Sequence, residues 1–496
     1  MTKSRDIASK LSDANSNTVY GTGALNLNTT GALNVAVGSN ALTSNTIGQN
    51  NTSIGTSSMR DNTTGSNNTA VGIWAGRENV SGVNLAAFGA FAAQKNKGDN
   101  NSAFGSGALT NTTTGYNNTA VGFSALYNNT TGANNTAIGV SALTTNTVGT
   151  DNVAIGLNVL ALNTTGVANV AIGAYALDAN TTGSYNTAIG KDSLSGNTTG
   201  SSNTALGEGT LTSNTTGNRN VGIGNGALYP NTIGSDNVAV GHEALRFNTT
   251  GGANVAVGRL ALYANTIGVN NVGIGYQALQ SNTTGSNNIG IGFASGVAIT
   301  TGQANFLVGT LSGSAMTVGS FNVGMGYNAL AGVTTGSGNT SMGQAAGSNT
   351  TTGNYNTSLG HGAVASSATV SGEFTLGDSN VTNLRCNDTS ISSLSDGRDK
   401  TDVIDSPYGL DFLNLIKVRQ YKWATREGNI KDGETRLGFI AQELLEAADG
   451  NNDVLDLVYE SNPDRLEAKY GNLIPVLAKA IQELSAKVAE LEAKVN

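Results

Sequence analysis

The sequence predicts a mainly β protein. The expected architecture is a trimeric parallel β-solenoid or β-roll of 17-residue repeats, followed by a small α+β domain ending in a coiled coil. Three observations carry this. One glycine recurs every 17 residues over most of the chain, charge is scarce while Gly is abundant, and the C-terminal segment carries a heptad pattern.

The recurring glycine runs from Gly21 through Gly38, Gly55, Gly72, Gly89 and Gly105 to Gly377. Of its 21 intervals, 20 are 17 residues and one, Gly89 to Gly105, is 16. Self-similarity at a fixed period marks a stacked architecture, and this period is too short for a propeller blade or a helical repeat. The unit reads N-T-A-V/I-G-x-x-A-L-x-x-N-T-T-G-x-x, as in NTAIGKDSLSGNTTGSS at 186–202. N-T-A-I reads as a short strand with side chains alternating between faces. The two glycines read as corners, and A-L-x-x-N reads as a second short strand. Stacked Asn residues would form ladders that satisfy turn backbone groups, with Thr doing the same more weakly.

Only two large apolar side chains recur per unit, a thin core to set against chain entropy. The small residue at the Ala position is therefore expected to face another copy of the chain. A homo-oligomeric rod follows, most simply a homotrimer about the long axis. Coils about 4.8 Å apart would make the repeat region roughly 100 Å long.

Composition narrows the function. Charged residues are 12% of the chain, against about 25% in ordinary globular domains. The net charge of −8 gives no reason to expect nucleic acid or an anionic membrane as partner. Cys386 is the single cysteine, so no internal disulfide framework is expected. No apolar run is long enough to span a bilayer, and residues 1–17 lack the apolar core of a signal peptide. His242 and His361 have no metal-ligand or triad spacing around them, so no metal or cofactor is expected. Acidic residues are sparse in the repeats. A glycosidase pair of carboxylates at a defined separation is not expected there.

Residues 1–16 precede the repeats, with Ile7 and Leu11 on one helical face. They are expected to attach the rod to a larger particle. Residues 73–97, which include Phe91, break the pattern with Trp74, Arg77, Glu78 and the short coil. That segment is the candidate contact for a receptor.

After Gly377 the composition changes. Residues 378–496 hold 14 Lys and Arg and 21 Asp and Glu, whereas 21–377 hold 8 and 10. Three segments stand out: SLSDGRDK at 393–400, RLGFIAQEL at 436–444, and YGNLIPVLAKAIQEL at 470–484. In the last, Ile474, Leu477, Ile481, Leu484, Val488, Leu491 and Val495 fall at spacings of 3 and 4, a heptad seam. Ile and Val at a with Leu at d favour two strands in isolation; the thin core of the repeats favours three. The division expected is 1–16 attachment segment, 17–377 shaft, 378–394 connector, 395–469 compact domain and 470–496 coiled-coil helix.

The N-T-A-I-G and N-V-A-V-G units resemble the head repeats of trimeric autotransporter adhesins and repeats in phage tail fibres. The combination S-D-x-R-x-K, G-F-I-A-Q-E and a terminal coiled coil resembles the endosialidase-type intramolecular chaperone found at the C-termini of phage tail fibres and tailspikes. That resemblance implies a trimeric chaperone that assembles the upstream β-structure and then cuts itself off. It implies a Ser-Lys dyad, with Ser395 as nucleophile, Lys400 as general base and the scissile bond at or next to Ser395. Asp396, Arg398, Gln442 and Glu443 belong to the same motifs. Serine needs a base to take its proton, and a lysine base needs burial or neighbouring positive charge to lose its own. Arg398 would help in that; Asp396 and Asp399 would oppose it.

The expected function is therefore a phage tail fibre in the virion, made in the host cytoplasm. Its N-terminus would bind a tail or baseplate component, and its shaft a host surface receptor, with polysaccharide among the candidates. No catalysis beyond self-cleavage is expected. The alternatives are a bacterial trimeric surface adhesin and a polysaccharide-degrading tailspike. The first would carry a secretion signal and a membrane barrel, and neither pattern is read here.

Overall fold

A computed structural model describes residues 13, 15–381, 383–385, 396–422, 434–460 and 466–495. The chain divides into two units, 1–322 and 323–496.

In the first unit, eighteen three-residue strands, β1 (Thr18–Tyr20) to β18 (Phe306–Val308), recur with the repeat. Successive strands pair in parallel and in register, Ala171 opposite Ala188 and Ala188 opposite Ala205. Side chains alternate across the ribbon, so the middle residue of each strand points inward and the two flanking residues point outward. Ala36, Ala70, Ala120, Ala188 and Ala239 are fully buried in the chain's own interior. This corrects the expectation that the Ala position faces another copy. The interior between strand and turn is narrow, and a larger residue there would meet the buried Leu.

The stretch expected to be a second strand is a run of turns. In the coil from Gly38, Asn40 and Leu42 have φ of +58° and +50°. Left-handed residues two apart curl the chain and cannot continue a strand. Each costs about 1–2 kcal/mol for a non-glycine residue. Inter-coil hydrogen bonding persists through the turns and offsets that cost. The Leu42 N–H donates to Ser58 O at 3.1 Å, and the Asn40 N–H to Thr22 O at 2.8 Å. Leu42 and its successors Leu126, Leu177 and Leu228 are fully buried, forming one apolar column beside the Ala column.

Two buried Asn columns complete the interior. In the first, Asn34 Oδ1 accepts the Asn51 N–H at 3.0 Å and its amide donates to Gly48 O at 2.9 Å. In the second, the Asn163 amide donates to Asn146 Oδ1 at 2.8 Å and to Gly166 O at 3.1 Å. Buried polar groups need such partners, and the columns supply them coil by coil. Thr columns add hydroxyl bonds, such as Thr130 Oγ1 to Thr147 O at 2.8 Å. The second Asn column fails where the repeat departs from its consensus. Asn62, Asn79 and Asn282 have buried Oδ1 atoms with no hydrogen-bond partner. After Asn79 comes the 16-residue coil, and after Asn282 the column position is held by Ile299.

Apolar volume is conserved locally where the Leu column breaks. Gly76 replaces Leu, and Leu85, replacing a column Asn, fills the space; a Cβ at Gly76 would lie 3.0 Å from Leu85 Cδ2. Gly296 likewise faces Ile299 and Leu307. The first coil is closed by Asp13, whose carboxylate accepts the Asn15 and Asn17 N–H groups and the Asn17 amide.

The second unit begins with four more coils, β19 (Val323–Met325) to β22 (Phe374–Leu376). Beyond them lie short helices α1 (Leu410–Leu413), α2 (Ala441–Ala448) and α3 (Asn452–Leu455), and the long helix α4 (Leu473–Val495). Two antiparallel pairs join them, β23 (Arg419–Tyr421) with β24 (Arg436–Gly438), and β25 (Val458–Tyr459) with β26 (Glu467–Ala468). Their core is Phe412, Leu444, Leu455, Leu457, Val458, Leu473 and Val476. Glu483 of α4 accepts the Leu410 N–H at 2.7 Å, capping α1. A Cβ at Gly409 would collide with that carboxylate. No helix among the described residues is long and apolar enough to cross a membrane.

Candidate functional site

Ser395 lies outside the described residues, as do Ile7, Leu11 and Cys386. The residues that follow Ser395 form a short 3₁₀ turn, Gly397–Asp399, capped by Asp396. The Asp396 carboxylate accepts the Arg398 N–H at 2.9 Å and its guanidinium Nε at 3.0 Å. Those bonds hold the Asp396 carboxyl below the usual carboxylate range. Arg398 therefore directs its charge at Asp396. Lys400 follows the turn, its N–H on Gly397 O at 3.4 Å, and is exposed in the single chain.

The second motif has a structural task that spacing could not reveal. Arg436–Gly438 is strand β24, and Gln442 and Glu443 open helix α2, Gln442 exposed. Glu443 accepts a two-pronged bond from the Arg419 guanidinium, Nε at 2.8 Å and Nη2 at 2.6 Å. That hydrogen bond depresses the Glu443 carboxyl. Lys417 reaches Glu446, one turn further on, at 3.3 Å. Two ion pairs thus fasten α2 to β23 and to the segment just before it. The partners are 24 and 29 residues apart in sequence, which no motif pattern signals. Gly438 is required by its neighbours, because a Cβ there would sit 2.5 Å from the Tyr470 hydroxyl.

Helix α4 carries two apolar stripes. Leu473, Val476 and Ala480 are buried against the domain core. Ile474, Leu477, Ile481, Leu484, Val488, Leu491 and Val495 are 41–87% exposed in the single chain. The heptad seam is thus unused by the chain's own fold. Val418, Leu437 and Val454 are exposed on the same domain.

The shaft has a matching face. The outward positions of all 22 strands hold no charged residue. In the first unit the third strand position is a column of large apolar side chains, including Ile54, Phe88, Phe104, Ile138, Leu206 and Ile274, each exposed; in the second unit the same strand position holds Met342, also exposed. Phe88 and Phe104 stack with centroids 5.0 Å apart.

Trp74, Arg77 and Phe91 do come together. Trp74 meets Phe91 edge-on at 5.4 Å, and the Arg77 guanidinium lies 4.9 Å over the Trp74 ring. Trp74 and Phe91 occupy the same left-handed turn position in successive coils, with φ of +59° and +60°, which stacks them. Arg77 Nε is buried without a hydrogen-bond partner.

Asp178 and Asp192 line one open groove with Tyr175 and Ser195. Burial pushes the Asp178 carboxyl up, and repulsion from Asp192 adds to it.

Residues 395–453 match the family described as chaperone of endosialidase, peptidase S74. The matched span takes in the capped turn, the β23–β24 pair and helix α2. No curated protein matches the chain. The chain therefore carries, at its C-terminal end, an endosialidase-type chaperone segment behind a β-solenoid of 17-residue coils.

Proposed function

We propose that this is a homotrimeric phage tail fibre whose shaft presents the host-attachment surface. Its C-terminal domain assembles the trimer and then cuts itself free. The observation that carries this reading is the pairing of two unused apolar surfaces, the uncharged outer face of the shaft and the exposed seam of α4. A large contiguous apolar face on a soluble chain marks an interaction site, and a seam with heptad spacing takes copies of itself. The matched chaperone segment supports the same assembly. Three chains would bring their outer faces together, and the α4 seams would pair with one another.

In this reading Ser395 Oγ attacks the peptide carbonyl while Lys400 takes its proton. The C–N bond breaks, the amine leaves with the proton Lys400 returns, and water hydrolyses the ester left behind. The exposed Lys400 of the single chain gains burial only when neighbouring chains pack around the turn, so cleavage waits for assembly. Trp74, Arg77 and Phe91 form the receptor contact, and residues 1–16 dock on the tail or baseplate. The test is Ser395→Ala on a denaturing gel. Wild type is expected to release a fragment of roughly 100 residues that the variant retains, a length set by cleavage beside the attacking serine. An uncut wild-type chain would remove the self-cleavage step.

The groove at Asp178 and Asp192 favours a second reading, a tailspike that degrades polysaccharide. A carboxyl raised by burial, with a second carboxyl lining the same groove, is a feature that acid-base glycoside cleavage uses. Oligosaccharide released from host capsule by wild type, and not by Asp178→Asn, would establish it.

A further inference from the structure

The last coil of the shaft ends unlike the others. Asn356 Oδ1 accepts the Glu373 N–H at 2.9 Å, as each column Asn does for its successor. Glu373 thus occupies the next position of the Asn column, 17 residues on. Among the described residues no coil follows whose N–H an Asn here could accept. The Glu373 carboxylate turns back into its own coil. Oε1 accepts the Ser366 N–H at 2.8 Å and the Thr375 hydroxyl at 3.1 Å, and Oε2 accepts the Ser366 hydroxyl at 2.6 Å. A carboxylate only accepts, and has room for about four donors.

The fourth donor comes from the C-terminal domain. The Tyr459 hydroxyl, on β25, reaches Glu373 Oε2 at 3.3 Å from 86 residues away. The Tyr459 ring is held from its other side, with the Lys469 ammonium 5.3 Å over its centroid and fixed by Asp456 at 2.7 Å.

We propose that the Tyr459–Glu373 contact is the seat by which the C-terminal domain recognises a closed last coil. Ser366 and Glu373 meet only when the loop between them has closed, and Ser366 is what aims Oε2 outward. An open coil therefore offers Tyr459 no fixed acceptor. By reciprocity, docking of the domain stabilises closure by the same factor that closure favours docking. The contact needs nothing beyond this chain. Its consequence, that the chaperone checks the shaft's end before release, rests on the assembly reading above.

Hydrogen exchange on the full-length chain tests it, in a Ser395→Ala background so that no fragment is lost. Tyr459→Phe removes the hydroxyl and keeps the ring on Lys469. It is expected to speed exchange of the 364–376 amides about tenfold, the lower end for a hydrogen bond to a charged group. Glu373→Gln is expected to speed exchange at 456–460, and the double variant to exceed neither single by more than twofold. Wild-type exchange at 364–376 in Tyr459→Phe, or strictly additive effects in the double variant, would overturn the proposal. Mass measured on the same samples reports trimerisation separately, so loss of one reading does not imply loss of the other.

Discussion

At a single corner glycine two constraints coincide. Gly139 has φ +133°, and a Cβ on it would lie 2.1 Å from the Gly156 carbonyl oxygen of the next coil. Neither the backbone angle nor the space admits a side chain. Gly139→Ala is expected to destabilise the shaft by more than about 1 kcal/mol, while Thr131→Ala on the exposed turn stays within about 0.5 kcal/mol. Paired thermal unfolding curves check this. Glu443 sets a second expectation. Its carboxyl is depressed by Arg419 in the folded chain, so the pair's contribution is present above the ordinary Glu value of about 4.3. It is lost as pH falls through the lower folded value. Near-ultraviolet dichroism of the C-terminal domain is expected to weaken in that acid range, and less so in Arg419→Gln, which has no pair left to lose. At this scale the sequence announced the corner glycines, because only glycine recurs where φ forbids other residues. It did not announce left-handed leucines such as Leu42, since nothing in a leucine's chemistry signals φ +50°. Glu373 was legible in principle, as a carboxylate at an Asn register position.

At the scale of the coil, the 17-residue period revealed the three-residue strand and the Asn columns. Both depend on register, and register is what a repeat displays. The turn run was misread because A-L-x-x-N has the apolar content of a strand, and its curl arises from backbone angles. The inward Ala was misassigned for a related reason: a small side chain fits a narrow interior as readily as a close approach between chains. The Asn columns predict unequal costs. Asn214→Ala removes the amide that Asn197 Oδ1 accepts and the oxygen that the Asn231 amide uses. About 1–3 kcal/mol is expected for each group left unsatisfied. The irregular coil makes a sharper case. Leu85→Asn restores the consensus at its own position but empties the space beside Gly76, and should cost about 2–5 kcal/mol. Gly76 already has the left-handed φ of the Leu column, +57°. Gly76→Leu added to Leu85→Asn is therefore expected to recover most of that loss. A double-mutant cycle in thermal unfolding measures the coupling; simple additivity would contradict the compensation.

For the whole molecule, the decisive feature is what each unit leaves uncovered. Outward positions free of charge on all 22 strands are not needed by a chain whose Ala, Leu and Asn columns already fill its interior. The exposed α4 seam repeats the pattern on a helix that already buries another stripe. A charge placed on either surface separates their contributions. Ile189→Glu is expected to impair association along the shaft, and Leu484→Glu to impair assembly through the helix. Thermal unfolding should depend on protein concentration for as long as assembly is reversible. The central claim is that the apolar faces meet across copies of this chain. Sedimentation equilibrium of the full-length Ser395→Ala chain tests it most directly. The account predicts a single species of three times the 50.0 kDa chain mass, which Ile189→Glu shifts toward lower mass. A stable, folded species of 50.0 kDa over the whole concentration range would contradict it.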